Sequence, residues 1–559
     1  MVRRLLSVWC ARVRRVGRSR RGAPFVVAAA AGVRVRTRLH PTPSEAATLT
    51  EIGAFVGGVY RRELAARVAH GALDRKRQAD YRAQRKRALT TQTSSRWAGA
   101  ITRSVEDQYQ SGMRALTAHT TSLDAAIATL SARCALAPGK RDGKVTGYRD
   151  GGERFQKNRR LTVLRDRAAR AQERWAAGSP SIVVGGKRLW HTRNHLAAAD
   201  LTEDRWRQQW DAARMFLTAD GETGKAGGNE TLRVTSGTGQ VRIKVPAALA
   251  QRFGTHITIA APVDFRHRHE EWRDRVHTNR AVRYDISYDP TRRRWYLDAS
   301  WSIAPAAPVP LSTLRAGQVL AVDLNDGHLA MCVLDASGNP VGQPDTIAIA
   351  TEGLPASQRD GHLRAALTTL LDQAEHTGCA AIVIENLDFA DARATGRETL
   401  GRGKRGKRFR RSVAGIPTAK FRERLRGMAA RRGIAVVAVD PAYTSKAGGK
   451  HWRQLLQQQS KTSGRAVTVH HGAAVAIGRR GLGLRLSRHS SGPRHAQRSV
   501  PGQPASSATP APRMRVACAK RRLTLGPHGR PDGSGGKQPT LAARTVRAAT
   551  ERCSLSLTD

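Results

Sequence analysis

The spacing of apolar residues changes character several times along this chain. Residues 33–39 alternate between apolar and polar, which predicts a strand, and a helical pattern follows over 43–68. Helical spacing then dominates from about residue 60 to 220, most clearly at 154–175. From 230 to 303 the period returns to two, with turn residues between the apolar runs. We therefore expect a helical lobe together with an antiparallel, barrel-like β module.

A different order of elements follows over 316–486. Apolar runs at 318–324, 380–387 and 434–440 predict buried strands, and a hairpin and three helices lie around them. The complete order is strand, strand, strand, helix, strand, helix, strand, helix. This order is typical of an RNase H-like fold, a mixed sheet with helices on its faces. The chain is therefore expected to be a multidomain α/β protein.

The charge balance points to a polyanionic partner. The 559 residues include 96 Lys and Arg against 44 Asp and Glu, which gives a net charge of +52. Such a chain repels itself unless a polyanion neutralises it, so nucleic acid is the expected partner. Charge alone does not choose between DNA and RNA. No apolar run reaches the roughly 20 residues of a membrane span, so we expect a cytoplasmic, nucleoid-associated protein that is not secreted and has no membrane partner.

The cysteines argue against a zinc ribbon. No two of the six form a CxxC pair, which is the half-site that such a ribbon needs. A disulfide framework is not expected in a long, Cys-poor chain, and this fits a reducing cytoplasm. The sequence therefore predicts no zinc site.

Two acidic residues stand where apolar strands end. Asp323 closes the run at 318–324, and Glu385 closes the apolar part of 380–387. A charge beside a buried strand is costly unless it is paired or bound to metal. If the two strands are neighbours, their carboxylates meet at one sheet edge and offer hard oxygen ligands to Mg²⁺ or Mn²⁺. The alternative is that each acid only pairs with one of the many Arg side chains.

The blocks around these acids resemble those of a known family. Residues 322–324, 384–387 and 439–445 look like the RuvC-type blocks of the OrfB (TnpB) family, which insertion sequences encode and which is related to type V CRISPR effector nucleases. Further similar stretches, some of them typical of its actinobacterial branch, lie at 36–41, 281–290, 294–301, 415–421 and 470–483. The resemblance implies a guide-RNA-binding lobe, a wedge-like β-barrel and one metal-dependent nuclease domain that acts on double-stranded DNA.

Composition and resemblance together suggest six segments. Both ends are rich in Arg, and the last segment is also rich in Ser, Pro and Gly, which is typical of disorder. A targeting segment is the alternative interpretation of the N terminus. The expected segments are a disordered basic arm at 1–30, the first part of the wedge β-barrel at 31–60, a helical nucleic-acid-binding lobe at 61–229, the rest of the wedge at 230–315, the RuvC (RNase H-like) domain at 316–486 and a disordered basic tail at 487–559.

The chain departs from the family at two places. The family's zinc ribbon is missing, and His470 stands where the family has its third acid. No carboxylate occurs between Asp440 and Asp532 to replace that acid. Three outcomes follow: His470 or His471 completes the site, Asp440 supplies a carboxylate, or the site is too weak for metal. Asp323, Glu385 and His470 are the predicted catalytic residues, with Asp323 and Glu385 as metal ligands.

A cationic run at 401–411 lies between the second and third blocks. Flexible, densely basic runs of this kind make phosphate contacts that position a strand without reading its sequence. The alternative is a solvated loop. The predicted nucleic-acid-binding residues are Arg402, Lys404, Arg405, Lys407, Arg408, Arg410 and Arg411.

Two functions are compatible with these observations. The first is a transposon-associated, RNA-guided DNA-binding protein with a RuvC-like, metal-dependent DNA endonuclease domain, in which guide pairing supplies the specificity. The alternative is a nuclease-inactive, domesticated protein that still binds DNA with a guide. The missing ribbon and the missing third acid favour the alternative, whereas the two retained acids favour an enzyme.

Overall fold

The computed structural model describes residues 22–487, apart from 305–306, 351–352, 355, 388–402, 405, 408–417 and 462–465. Its strands are β1 (Phe25–Val26), β2 (Gly32–Leu39), β3 (Arg141–Asp142), β4 (Val145–Thr146), β5 (Thr218–Ala219), β6 (Leu232–Val234), β7 (Val241–Lys244), β8 (His256–Ile259), β9 (Arg283–Asp289), β10 (Arg294–Ser302), β11 (Val319–Leu324), β12 (His328–Leu334), β13 (Pro340–Ala348), β14 (Ala381–Glu385) and β15 (Ala435–Val439). Its helices are α1 (Pro43–Ala69), α2 (Arg75–Thr90), α3 (Ser95–Ala135), α4 (Gly151–Ala176), α5 (Lys187–Thr192), α6 (Glu203–Arg214), α7 (Ala250–Phe253), α8 (His269–His277), α9 (Leu311–Arg315), α10 (Ala356–His376), α11 (Thr418–Arg431), α12 (Thr444–His451), α13 (Arg453–Gln459) and α14 (Val469–Gly481). These elements make a mixed α/β protein, as the sequence predicts.

Helix α1 begins where the sequence places its capping signals. The Thr42 hydroxyl accepts a hydrogen bond from the Glu45 N–H, and the Glu45 carboxylate accepts one from the Thr42 N–H. This reciprocal pair is a capping box, and Pro43 occupies the first helical turn, where its missing N–H costs nothing. The helix predicted over 43–68 agrees with α1.

Helices α3 and α4 pack along an apolar seam of Leu and Ala side chains. The helix predicted at 154–175 lies within α4. Among the described residues, no helix combines the length and the apolar character needed to cross a membrane.

The β-rich region forms two sheets. Strands β2, β10, β9 and β5 pair in that order, and β6, β7 and β8 make a separate antiparallel sheet. Both sheets contribute to one hydrophobic core, with Val35 and Leu297 from the first and Ile243 from the second. Strand pairing among the described residues does not close these sheets into the single barrel that we expected. Two sheets packed around one core bury every second residue of each strand, and so does a closed barrel. The alternation of apolar and polar residues therefore cannot distinguish a barrel from a pair of sheets.

The largest sheet has the strand order β1-β15-β14-β11-β12-β13. Strands β11, β14 and β15 run parallel, whereas β12 is antiparallel to both of its neighbours. Strand β11 is buried along its whole length because helices cover both faces of the sheet. Leu320 and Val322 pack with α10 and α11 on one face, and Val319 and Ala321 pack with α14 on the other. The carboxyl ends of the three parallel strands meet at one edge.

The basic arm that was predicted to be disordered over 1–30 is ordered at its end. Residues 25–26 form β1 against β15, and the Val27 N–H donates to the Val436 carbonyl at 2.8 Å. The prediction is wrong here because the short apolar run at 25–27 covers the otherwise open edge of β15. Residues 1–21 of the arm and residues 488–559 of the tail lie outside the described residues.

Candidate functional site

Asp323 and Glu385 lie on neighbouring parallel strands, at the edge where those strands end. Asp323 is in β11 and Glu385 ends β14, and the register pairs Val322 with Ile384 just before them. Because side chains alternate along a strand, both acids are on the same face as Ala321, which is the face that α14 covers. The two acids therefore meet at one sheet edge, as expected if their strands are neighbours. Their catalytic and metal-binding roles remain predictions.

The Asp323 carboxylate is buried and is held by two neighbours. Only 4% of the residue is exposed. Its Oδ2 lies 3.0 Å from the Asn325 amide nitrogen and 3.0 Å from His470 Nδ1. No Lys or Arg of the described residues forms an ion pair with Asp323. The alternative that this acid only pairs with an Arg side chain therefore does not fit the described residues. Its Oδ1 accepts no hydrogen bond from a described residue and is available to a ligand.

Glu385 is also largely buried, and its only close polar partner among the described residues is Thr444, whose hydroxyl donates to Oε1. Burial, helped by the nearby Asp323 and Asp440 carboxylates, raises the pKa of Glu385 to about 7, although the Thr444 hydrogen bond and the charge of Arg480 act to lower it. Two acids in one poorly solvated site resist full ionisation. A cation bound between them would relieve this repulsion.

The two adjacent histidines of α14 have different environments. His471 is 1% exposed, and its Nδ1 accepts a hydrogen bond from the Thr468 N–H at 3.0 Å. Nδ1 must therefore be unprotonated, so Nε2 carries the proton, and it lies 2.9 Å from the Thr346 hydroxyl and 3.1 Å from the Asp345 carbonyl, both of which can accept it. Burial lowers the pKa of His471, which keeps the ring neutral. His471 thus caps the start of α14 and ties it to β13.

His470, in contrast, is partly exposed and faces the acids. Its Nδ1 contacts Asp323 Oδ2, and its ring lies 5.1 Å from the His328 ring in an edge-on arrangement. Burial and the neighbouring His470 lower the pKa of His328. If the neutral His470 ring donates from Nδ1, its Nε2 remains an acceptor. Of the two histidines left open by the sequence, His470 has the position that suits the site.

Asp440 stabilises the turn that follows β15. Its Oδ1 accepts a hydrogen bond from the Ala442 N–H at 2.8 Å, and its Oδ2 accepts one from the Gly22 N–H at 3.3 Å. Both oxygens are used by the backbone, which favours a structural role over the alternative that Asp440 supplies a ligand.

A close helix crossing places Thr444 and His470 over the sheet edge. Helices α12 and α14 meet where Gly448 faces Gly472, and a Cβ on Gly472 would lie 2.6 Å from the Gly448 carbonyl oxygen. Only glycine permits this approach. Just before α12, Tyr443 has a φ of 66°, a left-handed conformation that is costly for a bulky residue. The strained turn brings Thr444 back to Glu385.

Within the described residues, no group of three or more His, Cys, Asp or Glu side chains is arranged to hold a metal ion. Asp323 and Glu385 nevertheless fit a hard divalent cation, since each has one oxygen without a hydrogen bond from a described residue. Mg²⁺ is commonly held by one or two carboxylates, with water and substrate phosphates completing its shell. The donor set thus suits Mg²⁺ or Mn²⁺ and leaves the third protein ligand unassigned.

Part of this chain is similar to RuvC. The structure of Thermus thermophilus RuvC in complex with a Holliday junction substrate has 15% identity and a TM-score of 0.20, over 29% of this chain and 91% of that chain. A second Thermus thermophilus RuvC structure has 15% identity and a TM-score of 0.19, with the same coverage. No family model matches the chain, and neither does a curated protein. The chemistry must therefore be argued from the site itself.

Most of the predicted cationic contact run lies outside the described residues. Lys404 and Lys407 are described and exposed, as a phosphate-binding surface requires. The other five predicted residues lie outside the described part of the chain, namely Arg402, Arg405, Arg408, Arg410 and Arg411.

Sequence reasoning missed two neighbours of the acids. Asn325 follows Asp323 by two residues, and Thr444 belongs to the block at 439–445 that had been singled out only for its resemblance. The position of Asn325 directly after the strand was an available signal. Nothing local in the sequence indicates that Thr444 contacts Glu385, because that contact joins residues 59 positions apart.

Proposed function

We propose that this chain is an RNA-guided DNA-binding protein of the OrfB type. Its residues 316–486 would form an RNase H-like (RuvC) domain that hydrolyses DNA phosphodiesters with Mg²⁺ or Mn²⁺. The helical lobe at 61–229 would hold the guide RNA, and the wedge at 31–60 and 230–315 would support the double-stranded DNA target. The strongly basic composition supports nucleic-acid partners.

One observation carries the nuclease assignment. One buried acid, Asp323, and one partly buried acid, Glu385, lie at the same edge and on the same face of neighbouring parallel strands. Burying two like charges side by side destabilises a protein. A purely structural role would be served better by apolar residues, so the arrangement supports a site that is completed by a cation.

The residues would divide the work as follows. Asp323 and Glu385 would hold the metal through their unengaged oxygens. When bound, the metal would activate a water and stabilise the leaving oxygen of the phosphodiester. His470 and Asn325 would fix the orientation of the Asp323 carboxylate, and the remaining acceptor of the His470 ring would take a proton from the attacking water.

The test is cleavage of a plasmid library with randomised flanks by the protein with its co-purified RNA, in Mg²⁺ and in Mn²⁺. We expect Asp323→Asn and Glu385→Gln each to lower cleavage by more than about 100-fold, and His470→Ala to lower it by about 10–100-fold. Asp326→Asn is the matched control, since Asp326 is exposed in the turn after β11. Equal cleavage by Asp323→Asn and the unmodified protein would refute the assignment.

A second assay addresses the guide separately. Ribonuclease treatment before the assay should abolish sequence-selective DNA binding while leaving non-selective binding, because pairing supplies the specificity. Selective binding that survives this treatment would contradict the guide and leave the nuclease assignment standing.

The second candidate is a guide-dependent DNA-binding protein without nuclease activity. The specific observation in its favour is that the described residues contain no group of three metal-ligating side chains. This function predicts guide-dependent DNA binding with no cleavage in either metal, and the same binding by Asp323→Asn.

A further inference from the structure

A cleft of about 510 Å³ lies in the helical part of the chain, and none of its lining residues belongs to the proposed nuclease site. One wall is the last half of α1, and the opposite wall is the segment at 180–184 together with α5 and α6. Its volume is within the range of about 300–1,000 Å³ that is typical of small-molecule sites. Most of its lining is apolar, including Leu64, Val68 and Ile182.

Two tryptophans supply an aromatic surface to this cleft. The Trp190 and Trp210 rings are 5.5 Å apart, and Trp206 stacks behind Trp210 at 5.7 Å. The Trp206 indole N–H donates to the Leu189 carbonyl, whereas those of Trp190 and Trp210 donate to no described residue. Gly185, with a φ of 96°, lets the backbone approach Trp210, since a Cβ there would lie 2.8 Å from the indole ring.

Two arginines line the same cleft. Arg61 and Arg214 form no ion pair with an acid of the described residues, although Arg61 donates to the Arg214 carbonyl at 3.2 Å. The Arg214 Nε is buried and has no hydrogen-bond partner within the described part of the chain. Burial, and after it the charges of Arg214 and Arg62, lower the pKa of Arg61. The two positively charged guanidinium groups can bind an anionic group, and the apolar lining beside them can bind an apolar group. The cleft therefore suits a ligand that carries both.

We propose that this cleft, formed by Arg61, Trp190, Trp210 and Arg214, receives one unpaired nucleotide of bound RNA. Trp210 is only 9% exposed and is contacted by Trp206 and by the Arg214 guanidinium, and the Arg193 guanidinium lies 3.7 Å over the Trp190 ring. The base would therefore lie against the part of Trp190 that lines the cleft, and its phosphate would face the guanidinium groups of Arg61 and Arg214. The unengaged indole N–H groups suit the acceptors on a base edge. The choice of RNA rests on the proposed function, which gives the chain an RNA partner.

The chemistry matches single-stranded recognition. Proteins that bind unpaired RNA stack the exposed bases on aromatic side chains and contact the backbone with Arg. A base inside a duplex cannot enter such a cleft, because both of its faces are stacked and its edge is paired. The cleft therefore selects for a single-stranded segment and is tolerant of base identity.

The test uses the full-length protein and a short unstructured RNA that contains 4-thiouridine, which is cross-linked by light and mapped by mass spectrometry. We expect an adduct at Trp190 or Trp210. Trp190→Leu should weaken binding of this RNA by about tenfold, since stacking one base is worth about that factor. Arg61→Gln should weaken it by a similar factor because it removes a charge that faces the phosphate. Arg62→Gln is the matched control, because Arg62 is exposed and does not line the cleft.

Each outcome is decisive. Duplex RNA of equal length should bind the unmodified protein and Trp190→Leu equally, and Asp323→Asn should keep the adduct while it loses cleavage. That last result separates this inference from the nuclease assignment.

No adduct, or equal losses for Arg61→Gln and Arg62→Gln, would overturn the proposal. Equal cross-linking of single-stranded DNA would overturn the assignment to RNA. Melting curves establish that the variants are folded.

Discussion

At the scale of single residues, identical chemical groups receive different roles from their surroundings. His470 and His471 are adjacent in sequence, yet His470 contacts the Asp323 carboxylate, whereas both ring nitrogens of His471 are engaged by the start of α14 and by β13. Asp323 and Asp440 both lie at strand ends, but the Asp440 carboxylate accepts a hydrogen bond from the Ala442 N–H in the turn that follows. Burial and hydrogen-bond partners therefore decide which residues can do chemistry.

The pKa of Glu385 predicts an unusual pH dependence of stability. Because its pKa rises from 4.5 to about 7 on folding, the native state binds this proton more tightly than the unfolded state. The contribution of Glu385 to the free energy of unfolding should therefore fall as pH rises from about 4.5 to 7. Glu385→Gln removes this effect, so without metal it should be more stable than the unmodified protein at about pH 8, by up to about 3 kcal/mol.

Urea unfolding with EDTA at about pH 5 and pH 8 measures this difference, which should vanish at the lower pH. Added Mg²⁺ should stabilise the unmodified protein at the higher pH and have little effect on Glu385→Gln, because binding to the native state adds to its stability. A constant difference between the two proteins across this range would contradict the prediction.

The two histidines should separate stability from activity. His471→Ala removes the acceptor of the Thr468 N–H and the ring that ties α14 to Thr346 and Asp345 of β13, which should cost about 1–3 kcal/mol of stability. His470→Ala removes a partly exposed side chain, and Asp323 keeps its Asn325 hydrogen bond, so this variant should lose less stability than His471→Ala. Denaturant unfolding of both variants measures this, and the reverse ranking would refute the capping role of His471.

At the scale of elements, the crossing of α12 and α14 controls the geometry of the site. These helices carry Thr444 and His470, which reach Glu385 and Asp323 from above the sheet. Their close approach depends on two facing glycines rather than on any group that touches the acids. A change at the crossing should therefore act on both contacts at once.

Gly448→Ala and Gly449→Ala make a matched test of this crossing. A Cβ at Gly448 would enter the backbone of Gly472, whereas one at Gly449 has nothing within 4 Å. Gly448→Ala should cost about 1–3 kcal/mol and lower cleavage, because the helices must separate. Gly449→Ala should be neutral or stabilise by up to about 1 kcal/mol. Thermal unfolding and plasmid cleavage of both variants provide the measurement, and equal effects would exclude the crossing as a positioning device.

At the scale of the whole molecule, a net charge of +52 should dominate the proposed association with nucleic acid. If the protein neutralises about 6–10 phosphates, its affinity for duplex DNA should fall by about 10³–10⁵ between 50 and 200 mM salt. Asp323→Asn should leave this slope unchanged, since the site is small beside the charged surface. Fluorescence anisotropy at several salt concentrations measures the slope, and a flat response would contradict phosphate-dominated binding.

The sequence alone determined the approximate ranges of α1, α4 and the three parallel strands β11, β14 and β15, the mixed α/β class and the two acids at strand ends. It could do so because apolar periodicity, caps and strand-end charges are local signals. It could not supply the two-sheet arrangement, the pairing of β1 with β15, the Thr444 contact or the different roles of His470 and His471. Those depend on which segments pack together across long sequence separations, and the same local pattern is compatible with several packings. Only the tertiary structure decided between them.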